Sequence, residues 1–235
     1  MTKTLVLGGT GFIGLELVRT LGAAGGHDIT VVDNLSRGAL DPAAKILFTD
    51  IGAHFIEADL TDPDAFAQLP GRFDEIYLLA GVVGVRYTIE RPVHVLRTNA
   101  LIVTNTIDWW QQTGGRLLYA STSEVYAGSL DIMSPFPTPT PESIPIAITD
   151  ILNPRFSYAA SKTYGESLVN AGALESGHPA TIIRFHNVYG PRMGYEHVVP
   201  ELSLRLVRRE NPFVLYGSDQ SRAFCFVSDA VAGLI

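Results

Sequence analysis

Two side chains with the chemistry to move a proton stand one helical turn apart in the second half of the chain. They are Tyr158 and Lys162, in the segment SYAASKTYGE. The segment favours a helix, and residues four positions apart lie on one helix face. An ammonium beside a phenol favours the phenolate, which brings a pKa of about 10 toward working pH. We therefore predict general base chemistry at Tyr158, assisted by Lys162.

Hydroxyl and carboxyl side chains follow the fifth predicted strand, in the segment ASTSEVY. In doubly wound sheets, ligands bind beyond the carboxyl ends of the strands. Thr122 and Ser123 can hydrogen-bond a substrate alcohol there, and Glu124 can act as a further base. Serine and threonine are also common helix caps and turn formers, so both interpretations stay open.

A glycine-rich segment, GGTGFIG, directly follows the first predicted strand and opens a helix. Of Gly8, Gly11 and Gly14, one permits a tight turn, another lets the backbone approach a pyrophosphate, and the third lets helix and strand pack closely. The first helical turn, with Phe12 and Ile13, offers free N–H groups and a partial positive charge to phosphates. This segment therefore predicts a dinucleotide cofactor.

Acidic side chains after the second and third predicted strands indicate which dinucleotide binds. Asp33 ends the second strand, where a carboxylate accepts hydrogen bonds from the adenosine ribose and repels a 2′-phosphate. This position favours NAD over NADP, although Arg37 is a weak signal for the phosphate-bearing form. Asp59 and Leu60 follow the third strand at the expected adenine edge, but a solvent-exposed loop acid explains Asp59 equally well.

Short apolar, β-branched runs alternate with longer helical patterns, which is typical of βαβ units and a parallel sheet. The predicted strands are Thr4–Leu7, Ile29–Val32, His54–Glu57, Glu75–Leu79, Arg116–Tyr119 and Ala180–Arg184. The predicted helices begin near Phe12, Pro63, Pro92, Ser157 and Pro200, and a last one is capped by Ser228. The fold predicted is α/β, with a doubly wound parallel sheet of the Rossmann type over residues 1–188. A smaller C-terminal substrate lobe is predicted over residues 189–235, where the alternation weakens.

The composition argues against several classes of protein. The chain has 235 residues, 46% hydrophobic and 17% charged, enough for a buried core and too apolar for extended disorder. Its 17 Lys and Arg against 24 Asp and Glu give a net charge of −7, which argues against nucleic-acid or membrane partners. A single cysteine and a start without signal-peptide layout favour the cytoplasm. The histidines show no metal-ligand spacing, so no metal site is predicted.

Two segments in the second half of the chain do not follow the alternation of strands and helices. Residues 128–156 are rich in proline, which does not suit a central sheet, so we expect an ordered surface excursion or a lid over a pocket. The chain stops in FVSDAVAGLI, within a predicted helix. We therefore expect the native protein to continue beyond Ile235.

These motifs together resemble the extended short-chain dehydrogenase/reductase family, specifically its NAD-dependent nucleotide-sugar epimerases, dehydratases and decarboxylases. The resemblance rests on GGTGFIG, VVDNLSRG, ADL at 58–60, LLAG at 78–81, Asn99, STSEVY at 121–126, the Tyr158 and Lys162 pair, RFHNVYGPR at 184–192 and LYGSDQSRAFCFVSDAV at 215–231.

The resemblance implies a role for each matched residue. NAD is the implied cofactor, and Tyr158 is the implied base that takes a proton from a sugar hydroxyl. Lys162 is implied to hold the nicotinamide ribose and to lower the Tyr158 pKa, and Thr122 to hydrogen-bond the reacting oxygen. The implied contacts to the substrate phosphates come from Asn187, Arg192 and Arg222. Further predicted cofactor contacts come from Asn34, Ala80, Gly81, Asn99 and His186.

Members of this group begin by oxidising a sugar carbon, usually C4, and the 4-keto sugar is then epimerised, dehydrated or decarboxylated. GVRYTIERP at 84–92 resembles UDP-glucuronate 4-epimerases, GRLLYASTSEVY resembles UDP-glucuronate decarboxylases, and STSE resembles GDP-mannose dehydratases. Ser123 stands where dTDP-glucose dehydratases have an aspartate, which argues against that branch. We predict an epimerase-type enzyme, with a decarboxylase as the alternative and a non-catalytic NAD sensor as an alternative of another class.

Two further expectations complete the prediction. Arg86, in the segment GVRYTIERP, is a candidate reader of a sugar carboxylate. The resemblance also implies a homodimer that forms through the helices beginning near Pro92 and Ser157.

Overall fold

A six-stranded parallel sheet forms the centre of the computed structural model, which describes residues 1–195, 197–215, 217 and 221–235. The strands are β1 (Thr2–Leu7), β2 (His27–Asp33), β3 (His54–Glu57), β4 (Glu75–Leu78), β5 (Arg116–Thr122) and β6 (Ala180–Phe185). Their order is β3-β2-β1-β4-β5-β6, and each neighbouring pair is parallel. The order reverses between β1 and β4, which opens a crevice at their carboxyl ends. The predicted doubly wound α/β fold is confirmed.

Helices cover both faces of the sheet. The α-helices of the described residues are α1 (Phe12–Ala24), α2 (Pro42–Ile51), α3 (Val85–Glu90), α4 (Pro92–Thr113), α5 (Ala127–Ile132), α6 (Phe156–Ser176), α7 (Val198–Val207) and α8 (Val227–Ala232), and of these α1, α2, α4, α6 and α8 contribute residues to the core clusters at the sheet. In β1, Leu5 and Leu7 enter one core cluster while Val6 enters the other. Because the strands are buried on both faces, they appear in the sequence as unbroken apolar runs.

Several local predictions need correction. The segment at Pro63 forms a 3-10 helix, Pro63–Gln68, and Leu79 lies just beyond β4. The sequence patterns did not predict α2, α3 and α5. Ser228 lies inside α8 and is not its N-cap; the N-cap is Phe226. The reason is tertiary, because Phe226 ends β8 (Phe224–Phe226), whose pairing with β7 (Asn187–Tyr189) decides where the helix begins.

The C-terminal segment packs back onto the sheet domain. Val231 and Leu234 join the same core cluster as Leu15 and Leu17 of α1. The proposed boundary at residues 188 and 189 falls within β7, and the division into two domains remains a prediction. Part of the LYGSDQSR motif, at positions 216 and 218–220, lies outside the described residues.

The proline-rich excursion contains neither helix nor strand over residues 133–155. Side chains at its base anchor it: Ser129 donates to the Pro145 carbonyl, and Thr149 Oγ1 donates to Asp131 Oδ2 at 2.7 Å. Of the predicted excursion over residues 128–156, the first part therefore belongs to α5 and residues 133–155 form an ordered loop, while its alternative role as a lid over a pocket remains a prediction.

Candidate active site

The glycine-rich turn lies at the carboxyl end of β1, where the crevice opens. A Cβ on Gly14 would stand 2.2 Å from the Gly8 carbonyl oxygen, so only glycine lets α1 begin this close to the turn. A Cβ on Gly11, the N-cap of α1, would meet only that same oxygen, at 3.3 Å. The space beside Gly11 is therefore open to a ligand, next to free N–H groups of the first helical turn, which includes Phe12 and Ile13.

A buried hydroxyl in this turn supports a phosphate ligand. The Thr10 side chain is buried, and its Oγ1 has no hydrogen-bond partner within the described residues. A buried polar atom without a partner is costly, which a bound polar group would relieve. The turn therefore fits the pyrophosphate of a dinucleotide.

Asp33 ties this turn to the segment that follows β2. Its carboxylate accepts hydrogen bonds from the backbone N–H of Thr10 at 3.1 Å and of Leu35 at 2.9 Å. Asn34 donates to Asp59 at 3.2 Å, so the two strand ends predicted to hold the adenosine are in contact. Both acids therefore lie at the carboxyl edge of the sheet, and their predicted contacts with an adenosine remain predictions.

The Asp59 side chain is exposed to solvent, whereas the Leu60 side chain is buried. Burial raises the pKa of the Asp59 carboxyl, but hydrogen bonds from Thr61 and Asn34 outweigh it and hold that pKa below its ordinary value. The Leu60 side chain is buried in a core cluster. Any contact of Leu60 with a cofactor therefore involves its backbone.

Asn99 fixes the loop after β4, where Ala80 and Gly81 lie. Its Oδ1 accepts from the Val82 N–H at 2.7 Å, and its Nδ2 donates to the Val82 carbonyl and to Ser161 Oγ, each at 3.1 Å. The amide thus joins this loop to α4 and α6. Its predicted direct contact with the cofactor remains a prediction.

Tyr158, on α6, is half-buried beside the carboxyl end of β5. Burial raises the pKa of its phenol to about 12; a hydrogen bond with Thr122 lowers it, the Glu124 charge raises it, and the Arg37 charge lowers it. The phenol, the threonine hydroxyl and the glutamate therefore lie together, as predicted. A raised pKa keeps the phenol neutral until a cationic ligand arrives.

Lys162 lies on the same helix face, and its side chain is buried. Its Nζ donates to the Ala120 carbonyl at 2.8 Å and stands 4.9 Å from the centre of the Tyr119 ring. Burial lowers the pKa of Lys162 to about 8, while the Glu166 charge opposes that change. In the structure the groups that lower the Tyr158 pKa are Thr122 and Arg37; Lys162, which was expected to do so, is not among them, and its Nζ is bonded to the Ala120 carbonyl.

Both interpretations of the Thr122 hydroxyl apply. Its Oγ1 accepts from the Glu124 N–H at 3.2 Å and so caps the 3-10 helix Ser123–Tyr126. The same hydroxyl also lies near enough to the Tyr158 phenol to lower its pKa. The Glu124 side chain, two residues later, is exposed.

The predicted substrate residues are exposed or form bonds within the protein. Arg192 Nη1 pairs with Asp41 Oδ2 at 2.6 Å, which links the segment after β7 to the N-terminus of α2. Asn187 Nδ2 donates to the Ala223 carbonyl at 2.8 Å, and Arg86 pairs with Glu90 at 3.1 Å. The exposed side chains include His186, Arg86 and Arg222. Their predicted substrate or cofactor contacts remain predictions.

Two residues of the site were not predicted from the sequence. Glu166 is buried on α6, and Arg184 of β6 forms an ion pair with it at 2.6 Å. One signal existed, because Glu166 lies four residues after Lys162 and therefore on the same helix face.

The doubly wound sheet, the glycine-rich turn and the tyrosine–lysine helix define a dinucleotide-dependent enzyme class. The profile of the NAD dependent epimerase/dehydratase family matches residues 4–235, and the chain belongs to this family, whose cofactor is NAD.

Named relatives include two decarboxylases. The UDP-N-acetyl-alpha-D-glucosaminuronate decarboxylase of Bacillus cytotoxicus is 32% identical over 237 residues, which cover 99% of this chain and 70% of the relative. The UDP-glucuronic acid decarboxylase 1 of Xenopus tropicalis is 32% identical over 235 residues, and the chain spans only 52% of its length.

Solved structures share the fold across almost the whole chain. A UDP-galactose 4-epimerase has a TM-score of 0.77 and 30% identity, with 98% of this chain and 69% of that one covered. TunA, described as an NAD-dependent NDP-hexosamine 5,6-dehydratase, has a TM-score of 0.79 and 28% identity, with 100% and 71% covered.

Proposed function

We propose that the protein oxidises C4 of a nucleotide-diphosphate sugar and acts on the resulting 4-keto sugar, with Tyr158 as the base. One observation carries this proposal: at the carboxyl end of β5, the Thr122 hydroxyl and the Glu124 carboxylate both lie near enough to the Tyr158 phenol to shift its pKa. A protein that only binds NAD has no need of this group of side chains. The same site therefore argues against a non-catalytic sensor.

Separate groups of residues bind the dinucleotide and move the proton. The turn at Gly11 and Gly14 and the acid Asp33 hold the dinucleotide, which supplies a hydride acceptor and donor when bound. Tyr158 takes the proton of the C4 hydroxyl, and Thr122 holds the oxygen while the C4–H bond breaks. Proton and hydride leave together, so a ketone forms and the electrons balance. The tyrosine later returns the proton when the ketone is reduced.

We place decarboxylation of a UDP-linked uronic acid first among the outcomes. With a ketone at C4, the electrons of the C5–C6 bond pass into a C4–C5 enolate, and the carboxylate leaves as carbon dioxide. C5 then takes a proton, for which Glu124 is placed beside the site. The decarboxylase names of the relatives at 32% identity favour this outcome. It takes precedence over the epimerisation predicted first from the sequence.

The second candidate is 4-epimerisation, in which the hydride returns to the other face of C4. The solved UDP-galactose 4-epimerase at 30% identity favours it. The two outcomes use the same base and the same first step. They differ in whether carbon is lost.

The test incubates the NAD-loaded protein separately with UDP-glucuronate, UDP-N-acetylglucosaminuronate, UDP-glucose and GDP-mannose, and follows products by NMR. We expect a UDP-linked sugar that lacks C6, with carbon dioxide released. A 4-epimer without carbon loss assigns the second candidate. If NAD binds and no sugar is converted, the enzymatic proposal is wrong. The Tyr158→Phe variant is the control for chemistry at this site.

The partner and the location are also proposals. Apolar side chains are exposed on neighbouring faces of α4 and α6, among them Val93, Leu96 and Tyr164. This face supports the predicted homodimer, which sedimentation of the wild-type protein and of Leu96→Glu tests. Across the described residues, no helix is both long and apolar enough to cross a membrane. The cytoplasmic location remains a prediction.

A further inference from the structure

The Glu166 carboxylate is buried under the site and bonded on both oxygens. Ser121 Oγ donates to Oε1 at 2.5 Å, and Arg184 Nε donates to the same oxygen at 2.9 Å. Arg184 Nη2 donates to Oε2 at 2.6 Å, which completes a forked pair. Forked pairs of guanidinium and carboxylate are strong and fix geometry as well as energy. Three elements are joined here: α6, β5 and β6.

Arg184 also forms hydrogen bonds outside its ion pair with Glu166. It lies opposite Ser121 in the pairing of β6 with β5. Its Nη1 donates to the Tyr126 hydroxyl at 2.7 Å and to the Glu142 carbonyl at 3.1 Å. The guanidinium also stands 5.0 Å from the centre of the Tyr126 ring. Arg184 therefore connects Glu166 to the 3-10 helix after β5 and to the proline-rich excursion.

The bonded residues flank the catalytic ones in the sequence. Ser121 directly precedes Thr122, and Tyr126 follows Glu124 by two positions. On the helix, Glu166 lies one turn beyond Lys162 and two turns beyond Tyr158. The same carboxylate thus connects the strand end that carries the hydroxyl to the helix that carries the phenol.

A close helix–strand contact supports the same link. A Cβ on Gly165 would stand 2.1 Å from the Tyr119 hydroxyl, so α6 and β5 approach closely next to Glu166. A buried ion pair by itself contributes little stability compared with apolar residues of similar volume. Stability alone therefore gives no reason for this arrangement.

We infer that Glu166 and Arg184 are positioning residues, which hold the Thr122 hydroxyl at the Tyr158 phenol without touching the reacting atoms. This inference rests on the proposed function for its catalytic meaning, although the geometry it predicts can be measured without a substrate.

The charge of Glu166 also acts on Lys162. The groups that face Lys162 are the Ala120 carbonyl and the Tyr119 ring from β5, and Tyr158 and Glu166 from its own helix. Glu166 keeps the pKa of Lys162 from falling further under burial. Removal of that charge makes Lys162 lose its proton at lower pH.

The test compares Glu166→Gln with Glu175→Gln, a matched change at an exposed position of the same helix. Misplacement of reacting groups by about 1 Å costs on the order of 100-fold in rate. For Glu166→Gln we therefore expect kcat to fall about 10- to 100-fold while KM for the sugar and the affinity for NAD stay within about twofold. The pH at which the kcat profile stops rising should move to lower pH, because Lys162 loses its proton earlier. Glu175→Gln should match wild type.

A second variant and a crystal structure distinguish a loss of positioning from a failure to fold. Glu166→Gln combined with Arg184→Met removes both charges, so no buried charge is left unpaired. We expect this folded double variant to remain slow, with the Thr122 Oγ1 to Tyr158 Oη separation lengthened by about 0.5 Å or more. Wild-type kcat in either folded variant, or an unchanged separation, overturns the inference. If wild type converts no sugar, the proposed function fails, and the measured separation still decides the positioning role.

Discussion

Replacement of Gly14 by alanine forces a backbone clash whose size follows from the structure. The new methyl group would stand 2.2 Å from the Gly8 carbonyl oxygen, whereas real contacts of this kind stay above 3.0 Å. Turn and helix must therefore separate by about 0.8 Å. Such overpacking costs about 1–3 kcal/mol, and the better helix propensity of alanine recovers up to about 1 kcal/mol. We expect the free energy of unfolding to fall by about 1–2 kcal/mol.

Gly11→Ala is the matched variant that tests binding without the clash. The backbone at Gly11 has φ −68° and ψ 176°, which alanine adopts freely, and its methyl group would meet one atom at 3.3 Å. We expect the free energy of unfolding to change by less than about 0.5 kcal/mol. The methyl group occupies the space beside the first helical turn, so a charged hydrogen bond to phosphate is weakened by about 1.5 kcal/mol, or roughly tenfold in NAD affinity.

Urea unfolding with and without NAD measures both effects. At 100 times the wild-type dissociation constant, NAD should stabilise wild type by about 2.7 kcal/mol and Gly11→Ala by about 1.4 kcal/mol. Gly14→Ala should be less stable without NAD and should gain little from it. If both variants gain as much as wild type, the glycine-rich turn is not the NAD site and the argument is refuted.

Three further predictions concern the base, its pH dependence and the segment after β7. Tyr158→Phe should lower kcat by about 100- to 10,000-fold with NAD affinity unchanged, measured by NMR turnover and calorimetry; retained turnover would assign the base elsewhere. Because burial raises the pKa of Tyr158 to about 12 and lowers that of Lys162 to about 8, kcat/KM should rise with pH up to about 8 and level off above it, since the growing phenolate fraction is then offset by the loss of the Lys162 proton. A profile that is flat between about pH 6 and 10 would contradict this assignment. Arg192→Ala breaks a partly exposed pair with Asp41 and should cost less than about 1 kcal/mol in urea unfolding; a tenfold rise in the sugar KM would instead support its predicted role at the substrate.

The strands and the dinucleotide turn were predictable because their signals are local. Each buried strand appears as a short apolar run, and the glycines of the turn follow the first run directly. The pairing of Tyr158 with Lys162 on one face needed only the helical period. The class of fold followed from these features, and so did the proposal that Tyr158 is the base.

The electrostatic roles could not be predicted, because they depend on burial and on residues far apart in the chain. The sequence predicted that Lys162 lowers the Tyr158 pKa, but the fold holds its Nζ at the Ala120 carbonyl, 42 positions away. The sequence also did not show that the Leu60 side chain lies in the core, which leaves only its backbone for the predicted cofactor contact. Local patterns do not report how deeply a position is buried.

By itself, the sequence determined the parallel α/β architecture, the dinucleotide turn and the helix that carries the phenol, since these depend on periodicity and on neighbours within a few residues. Only the tertiary structure decided what holds that phenol in place. Ser121 and Glu166 meet across 45 positions, and Arg184 reaches Glu142 across 42. Contacts of this kind form when the sheet and its helices assemble, because the bonding partners are brought together by packing and not by spacing along the chain.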